Sequence, residues 1–172
     1  MVKIGVVLAR QPDDLGGWLA DGAAFDAAGA DALWIDSGPD AELDPLVLTA
    51  ALAAVTFRSL LVTTVPAPAG KAQPPARTLA TIGRLSHQRL RIFAHPMPED
   101  FETFEYPGEP DITERWVRVP FPDSRATWRA ALIDTAERGC QGLLLPADPR
   151  LLDLLRNPDE PDDRRDLQLA QG

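Results

Sequence analysis

The chain opens on Val2-Lys3-Ile4-Gly5-Val6-Val7-Leu8, an apolar run with a single charge, as expected for a strand covered on both faces in a parallel sheet. Leu15, Trp18, Leu19, Gly22 and Phe25 then recur at helical spacing, with polar Asp21 and Asp26 between or beside them, and Gly29 supplies a left-handed stop. That pattern predicts an amphipathic helix. Ala32-Leu33-Trp34-Ile35 is too short for a helix and reads as a second buried strand. Asp44-Pro45 is a helix start, because Asp accepts orphan amide bonds and Pro at the first helical position gives up none; the apolar stretch to Val55 continues that helix. Leu60 to Val65 is rich in β-branched residues and ends at Pro66, a third strand. Pro74-Pro75 opens a helix through Leu79, Ile82 and Leu85, and Leu90-Arg91-Ile92-Phe93-Ala94 forms a fourth strand. Four strand-then-helix steps predict an α/β fold with a mainly parallel sheet and right-handed crossovers.

Residues 95 to 122 break the rhythm. Seven positions, His95 and six prolines, surround two short aromatic segments, Phe101 to Tyr106 and Trp116 to Phe121, and an irregular hairpin or edge extension is expected. The rhythm resumes with a helix from Asp123-Ser124 to Gly139 that carries Trp128, Ala131, Leu132 and Thr135 on one face. A buried strand follows at Gly142-Leu143-Leu144-Leu145, then a short helix opened by Asp148-Pro149 and ending near Asn157-Pro158. From Asp159 to Arg165 acids outnumber arginines, so residues 159–172 read as a solvated, partly mobile tail on a single domain spanning 1–172.

Composition narrows the function classes. With 172 residues, 45% hydrophobic and 25% charged, the chain fits one ordinary globular domain. Its formal charge of −9 repels phosphate backbones and anionic membranes, so neither nucleic acid nor membrane is an expected partner. No apolar stretch reaches the roughly 18 to 20 residues of a membrane span, and no leader pattern opens the chain, so a cytoplasmic location is the default expectation. A lone cysteine, Cys140, forms no internal disulfide, and two histidines without a cysteine partner make no structural zinc site. No metal is expected. The acids Glu99, Asp100, Glu102 and Glu105 read as a solvated set beside an aromatic edge. Neither a Gly-x-Gly-x-x-Gly turn nor a Walker loop is present.

Four stretches give the chain a family likeness. They are Phe25-Asp26-Ala27-Ala28-Gly29-Ala30-Asp31-Ala32-Leu33-Trp34-Ile35, the run from Asp44-Pro45-Leu46 to Val55-Thr56, the run from Thr78-Leu79-Ala80 to Ser86 continuing into Gln88-Arg89-Leu90, and Ala136-Glu137-Arg138-Gly139-Cys140-Gln141-Gly142-Leu143-Leu144-Leu145-Pro146. In order and interval the first three resemble the first half of the luciferase-like flavin-dependent monooxygenases, over roughly residues 1 to 95. The resemblance implies a TIM-type barrel holding FMN or the deazaflavin coenzyme F420 at the carboxyl ends of its strands, and oxidation of a small organic substrate with dioxygen or by hydride transfer. Such a barrel typically needs about 200 residues or more. The chain therefore reads as a truncated TIM-barrel-like member with one clear strand after the fourth and two or three units missing. The phosphate-binding elements are among those missing. A shortened sheet leaves unpaired edges and an uncovered apolar face, for which a homodimer is the simplest remedy. The aromatic segment of residues 95–122 either plugs the gap within its own chain or covers a partner's face.

Sites in parallel α/β folds gather at the carboxyl ends of strands. His95 follows the fourth strand, and its titration range suits proton transfer at neutral pH. Asp36 follows the second strand, where a base or polar anchor projects; members of the family frequently have a histidine near this point, and Ser37 departs from that pattern. These two are the catalytic candidates. Arg10 is placed to pair with an anionic ligand, and Ser37, Thr63, Thr64, Val65 and Pro66 complete the cofactor-side set. The resemblance puts Thr63 and Thr64 where the family approaches the flavin ring. Structural roles account for the same residues: a surface arginine, a capping carboxylate, β-propensity for the threonines and a turn at His95-Pro96. His87, in the turn before the fourth strand, faces the opposite end. The alternative to an enzyme is a degenerate barrel that serves as a flavin-binding, ligand-binding or protein-interaction module. An aldolase or isomerase is disfavoured because no lysine stands at a strand end.

Overall fold

The computed structural model describes residues 1–9, 12–35, 42–64, 75–93, 101–105 and 113–158, with the backbone alone for 93, 101–105 and 113. Seven strands, β1 (Lys3–Val7), β2 (Ala32–Ile35), β3 (Leu60–Thr64), β4 (Leu90–Phe93), β5 (Phe101–Glu105), β6 (Thr113–Arg118) and β7 (Gly142–Pro146), form one sheet in the order β4-β3-β2-β1-β7-β6-β5. Every pairing is parallel except β5 with β6, so six parallel strands carry one antiparallel strand at the edge. Five helices are described: α1 (Leu15–Ala28), α2 (Pro45–Val55), α3 (Ala76–Leu85), α4 (Arg125–Glu137) and α5 (Leu151–Arg156).

The order has a direction. From β1 through β2 and β3 to β4, and again from β6 to β7, the chain steps the same way along the sheet, and crossovers of the usual right hand then put the connecting helices on one face. The burial pattern shows that face. Val6, Leu8, Leu33, Ile35, Leu61, Val117, Leu143 and Leu145 share a core with Trp18 and Phe25 of α1, Leu48 and Leu52 of α2, Trp128 of α4 and Leu151 of α5. The alternate positions, Ala32, Trp34, Val62, Trp116 and Leu144, form a second cluster made of strand residues alone. The sheet curls as an incomplete TIM-type barrel with helices outside and this second cluster inside.

Local chemistry sets the element ends as the sequence predicts. Asp44 accepts from the amides of Leu46 (2.8 Å) and Val47 (3.2 Å). Gly29 and Gly139 take φ of 103° and 69° after α1 and α4, where a side chain is strained. Ser124 closes a capping box with Thr127 at the start of α4.

Four expectations need correction. β5 and β6 do pair as a hairpin at the sheet's edge, as expected of residues 95–122, but β6 is also a full parallel strand beside β7 with Trp116 wholly buried, so the segment is not a peripheral insert only. Two strands, not one, follow the fourth parallel strand and belong to the parallel set. The inner face is not bare: Trp34 and Trp116 fill it, edge to face with ring centroids 5.9 Å apart. The aromatic segment thus contributes internal cover through Trp116. Asp26 is not on a solvated helix face, because it is 4% exposed and accepts from the amides of Phe57 (2.8 Å), Arg58 (3.0 Å) and Ser59 (2.6 Å).

Candidate functional site

Register brings the carboxyl ends of β1 to β4 side by side. Val7 lies opposite Trp34, Trp34 opposite Val62, Ile35 opposite Thr63, and Thr64 opposite Phe93. The segment leaving β1 is fastened at this rim: Leu8 N donates to Trp34 O (2.9 Å), and Trp18 Nε1, in the first turns of α1, donates to Ala9 O (3.1 Å). Ala147 N donates to Val7 O (3.0 Å), tying the exit of β7 to the same level.

Of the eight site candidates, the described residues include Thr63 and Thr64. Arg10, Asp36, Ser37, Val65, Pro66 and His95 lie outside them. The two threonines part company, because successive side chains of a strand point to opposite faces. Thr63 shares the parity of Leu61 and faces the helix layer; it is fully buried and its Oγ1 has no hydrogen-bond partner. Thr64 shares the parity of Val62 and faces the interior, 3% exposed, with Oγ1 donating to Ile35 O at 3.4 Å. The two hydroxyls therefore lie on opposite faces of the sheet, so one face has at most one of them. Thr64 is the one on the interior side.

The sequence reading missed two inner-face cations. Arg91 lies opposite Val62, level with Trp34, and Arg118 lies opposite Leu144, one inner-face step deeper. Both are half-buried, and Arg91 Nη1 donates to Gln88 O (2.9 Å) and Leu90 O (2.8 Å). A lone charge between apolar neighbours, as in Leu90-Arg91-Ile92, is the signal that marks such a position. Deeper still, Lys3 pairs with Glu114, which also accepts from Trp116 Nε1 at 3.2 Å. The described interior is thus packed around two indoles, with Arg91 and Arg118 at positions on the same face to either side.

The opposite end of the sheet is structural. Burial by itself would raise the Asp26 carboxyl, but the amides of Ser59, Phe57 and Arg58 and the Ser59 hydroxyl outweigh it and hold the group below the usual carboxylate range. Arg89 completes this knot, donating to Ser59 O (2.6 Å) and Thr56 O (2.6 Å). Burial pulls its guanidinium down and the Asp26 charge partly restores it. His87 is exposed in the turn that precedes Arg89, at this end and away from the rim.

A flavin fits the described residues incompletely. Thr64 offers a hydroxyl near the end of β3, but the turn after β7 does not form a phosphate seat. There the Asp148 carboxylate accepts from Arg150 N (2.8 Å), Nε (3.0 Å) and Nη2 (2.7 Å), so an acid stands where a phosphate needs bare amides. The Arg150 hydrogen bonds hold Asp148 below the usual carboxylate range. Among the described residues no group of three potential metal ligands occurs, and no helix is long and apolar enough to cross a membrane.

No protein-family model matches the chain, and no curated protein matches it. Among solved structures it is similar to the riboflavin lyase RcaE, determined with modified FMN and the substrate riboflavin. That likeness has 20% identity over 55% of this chain and 30% of the other, with a TM-score of 0.44. It is also similar to the monooxygenase RslO1 from Streptomyces bottropensis, at 17% identity over 91% of this chain and 65% of the other, with a TM-score of 0.43. The chain spans less than two thirds of the length of either.

Proposed function

We propose that the chain is a shortened luciferase-like oxidoreductase that takes reduced FMN or coenzyme F420 at the carboxyl ends of β1 to β4 and acts on a small organic substrate. The observation that supports this most is the one-directional run of six parallel strands, which gathers the strand ends at one rim above a packed floor. The resemblance of residues 1 to 95 supports the cofactor class. In this reading His95 and Asp36 handle protons, Arg10 meets an anionic group, and Ser37, Thr63, Thr64, Val65 and Pro66 line the cofactor, Thr63 through its backbone. When bound, a flavin or deazaflavin supplies the hydride or dioxygen chemistry.

A second reading, a binding module without turnover, is favoured by the Asp148–Arg150 pair that fills the turn after β7. One experiment separates the two. FMN and F420 are titrated into the purified protein and followed by absorbance, and the reduced cofactor is then offered to air or to an electron acceptor. Saturable perturbation of either chromophore with accelerated reoxidation supports the enzyme. Saturable perturbation without acceleration selects the module. An unperturbed spectrum at high micromolar cofactor removes both flavin readings.

A further inference from the structure

In the turn after β7 the donors are used within the chain. Ala147 N donates to Val7 O (3.0 Å), Pro149 has no N–H, and Arg150 N donates to Asp148 Oδ1 (2.8 Å). Leu151 N and Leu152 N, which open α5, donate to Asp148 O (2.9 Å) and Pro149 O (3.2 Å). The guanidinium of Arg150 is committed in the same way. Its Nε and Nη2 donate to the two carboxylate oxygens of Asp148 at 3.0 Å and 2.7 Å, and its charge lies 4.3 Å over the Phe121 ring, with the Asp123 carboxylate near enough to act on it. An amide and a forked guanidinium are the donors that commonly hold a phosphate, and here the anion between them is a side chain of the same turn. Behind the turn, a pocket of about 50 Å³ has Asp21 as well as Asp148 in its wall, beside Phe25, Pro149 and Leu152. A second carboxylate thus stands at the same place.

We propose that the site is selective for a flavin ring without its phosphate, and that Asp148 sets this selectivity. The inference rests on the flavin reading above and narrows it: the isoalloxazine is recognised by its ring, and the far end of its ribityl chain meets no seat for an anion. A phosphate monoester carries about −1.5 to −2 charges at neutral pH. At this turn it can take the Arg150 fork only by displacing Asp148, and the displaced carboxylate then stands beside it, with Asp21 and Asp123 close by. The Arg150 side of the pair is exposed, so the pair adds little to stability. Its effect is on charge. A ribityl hydroxyl is neutral and meets no such repulsion. Riboflavin is therefore preferred to FMN, which still binds through its ring. The formal charge of −9 on the whole chain acts in the same direction.

Flavin fluorescence titrations of the chain with riboflavin and with FMN, each at low salt and at about 0.5 M salt, test this, with circular dichroism as the check on folding. The expected result is that riboflavin binds about three-fold or more tighter than FMN at low salt, and that the gap narrows as salt screens the carboxylates. Asp148→Asn, which keeps an acceptor for Arg150 N and removes the charge, tightens FMN by a similar factor and leaves riboflavin unchanged. Equal affinities, or FMN bound more tightly, overturn the inference and leave the flavin reading standing, since the phosphate then has a seat elsewhere on the rim. An Asp148→Asn variant that shifts both flavins alike, or neither, also overturns it. If neither flavin binds, the flavin reading falls and the inference falls with it.

Discussion

Gly142 lies directly opposite Trp116 in the β6–β7 ladder, and its missing side chain is the space the indole occupies: a Cβ there would stand 2.4 Å from Trp116 Cε3. Ring carbons of a wholly buried tryptophan cannot retreat as a flexible chain end does, so Gly142→Ala must shift a strand or tilt the indole off Trp34. The expected loss is about 1–3 kcal/mol of folding stability. Urea unfolding measures it, and an unchanged midpoint would show that Trp116 is not held against β7.

Gly83 predicts the opposite sign. It sits inside α3, where a Cβ would meet Gln88 Oε1 at an ordinary 3.5 Å, and its φ is not in the left-handed region. Alanine there adds helix propensity and removes unfolded-chain freedom without a clash, so Gly83→Ala stabilises by about 0.5–1 kcal/mol. Thermal unfolding checks this, and a lowered midpoint would place the close neighbour wrongly.

Asp26 ties stability to pH. Its carboxyl is lowered in the folded state by three amides, so the unfolded chain binds the proton more readily on acidification. The contribution is fully present above the ordinary Asp value near 4 and drains away as pH falls through the lower folded value. Asp26→Asn keeps the shape but loses the charge, and it costs about 2 kcal/mol at neutral pH. Below about pH 4 the variant's stability falls less steeply than that of the parent. Denaturant titrations at stepped pH show this, and parallel acid limbs would remove Asp26 as their source.

The elements with local signals were legible before any coordinates: Asp44-Pro45, Gly29 and Gly139 mark helix ends by chemistry confined to a few residues. β6 was not. Thr113-Glu114-Arg115-Trp116-Val117-Arg118 alternates charge with bulk and stands among prolines, so local pattern reads it as an edge. Its burial depends on the glycine at position 142, far along the chain. Asp26 failed for the same reason, since helical periodicity sees a polar position and not the amides of residues 57–59 that come to meet it. At the rim, strand-end placement predicted from sequence the residues next to β1 to β4, but β-strand parity divided Thr63 from Thr64, and six of the eight candidates lie outside the described residues.

That parity makes the two threonines separable by experiment. Thr63 Oγ1 is buried among apolar side chains on the helix side without a hydrogen-bond partner, so Thr63→Val relieves an unsatisfied hydroxyl in an isosteric shape. It stabilises the fold by about 1 kcal/mol and leaves cofactor titrations unchanged. Thr64→Val removes the hydroxyl that faces the interior at the strand end. It weakens saturable FMN or F420 perturbation by about ten-fold, the worth of one hydrogen bond of roughly 1.4 kcal/mol, while the unfolding midpoint moves by less than in Gly142→Ala. If Thr63→Val is the variant that weakens binding, the pocket lies on the helix side of the sheet and the strand-end assignment is wrong.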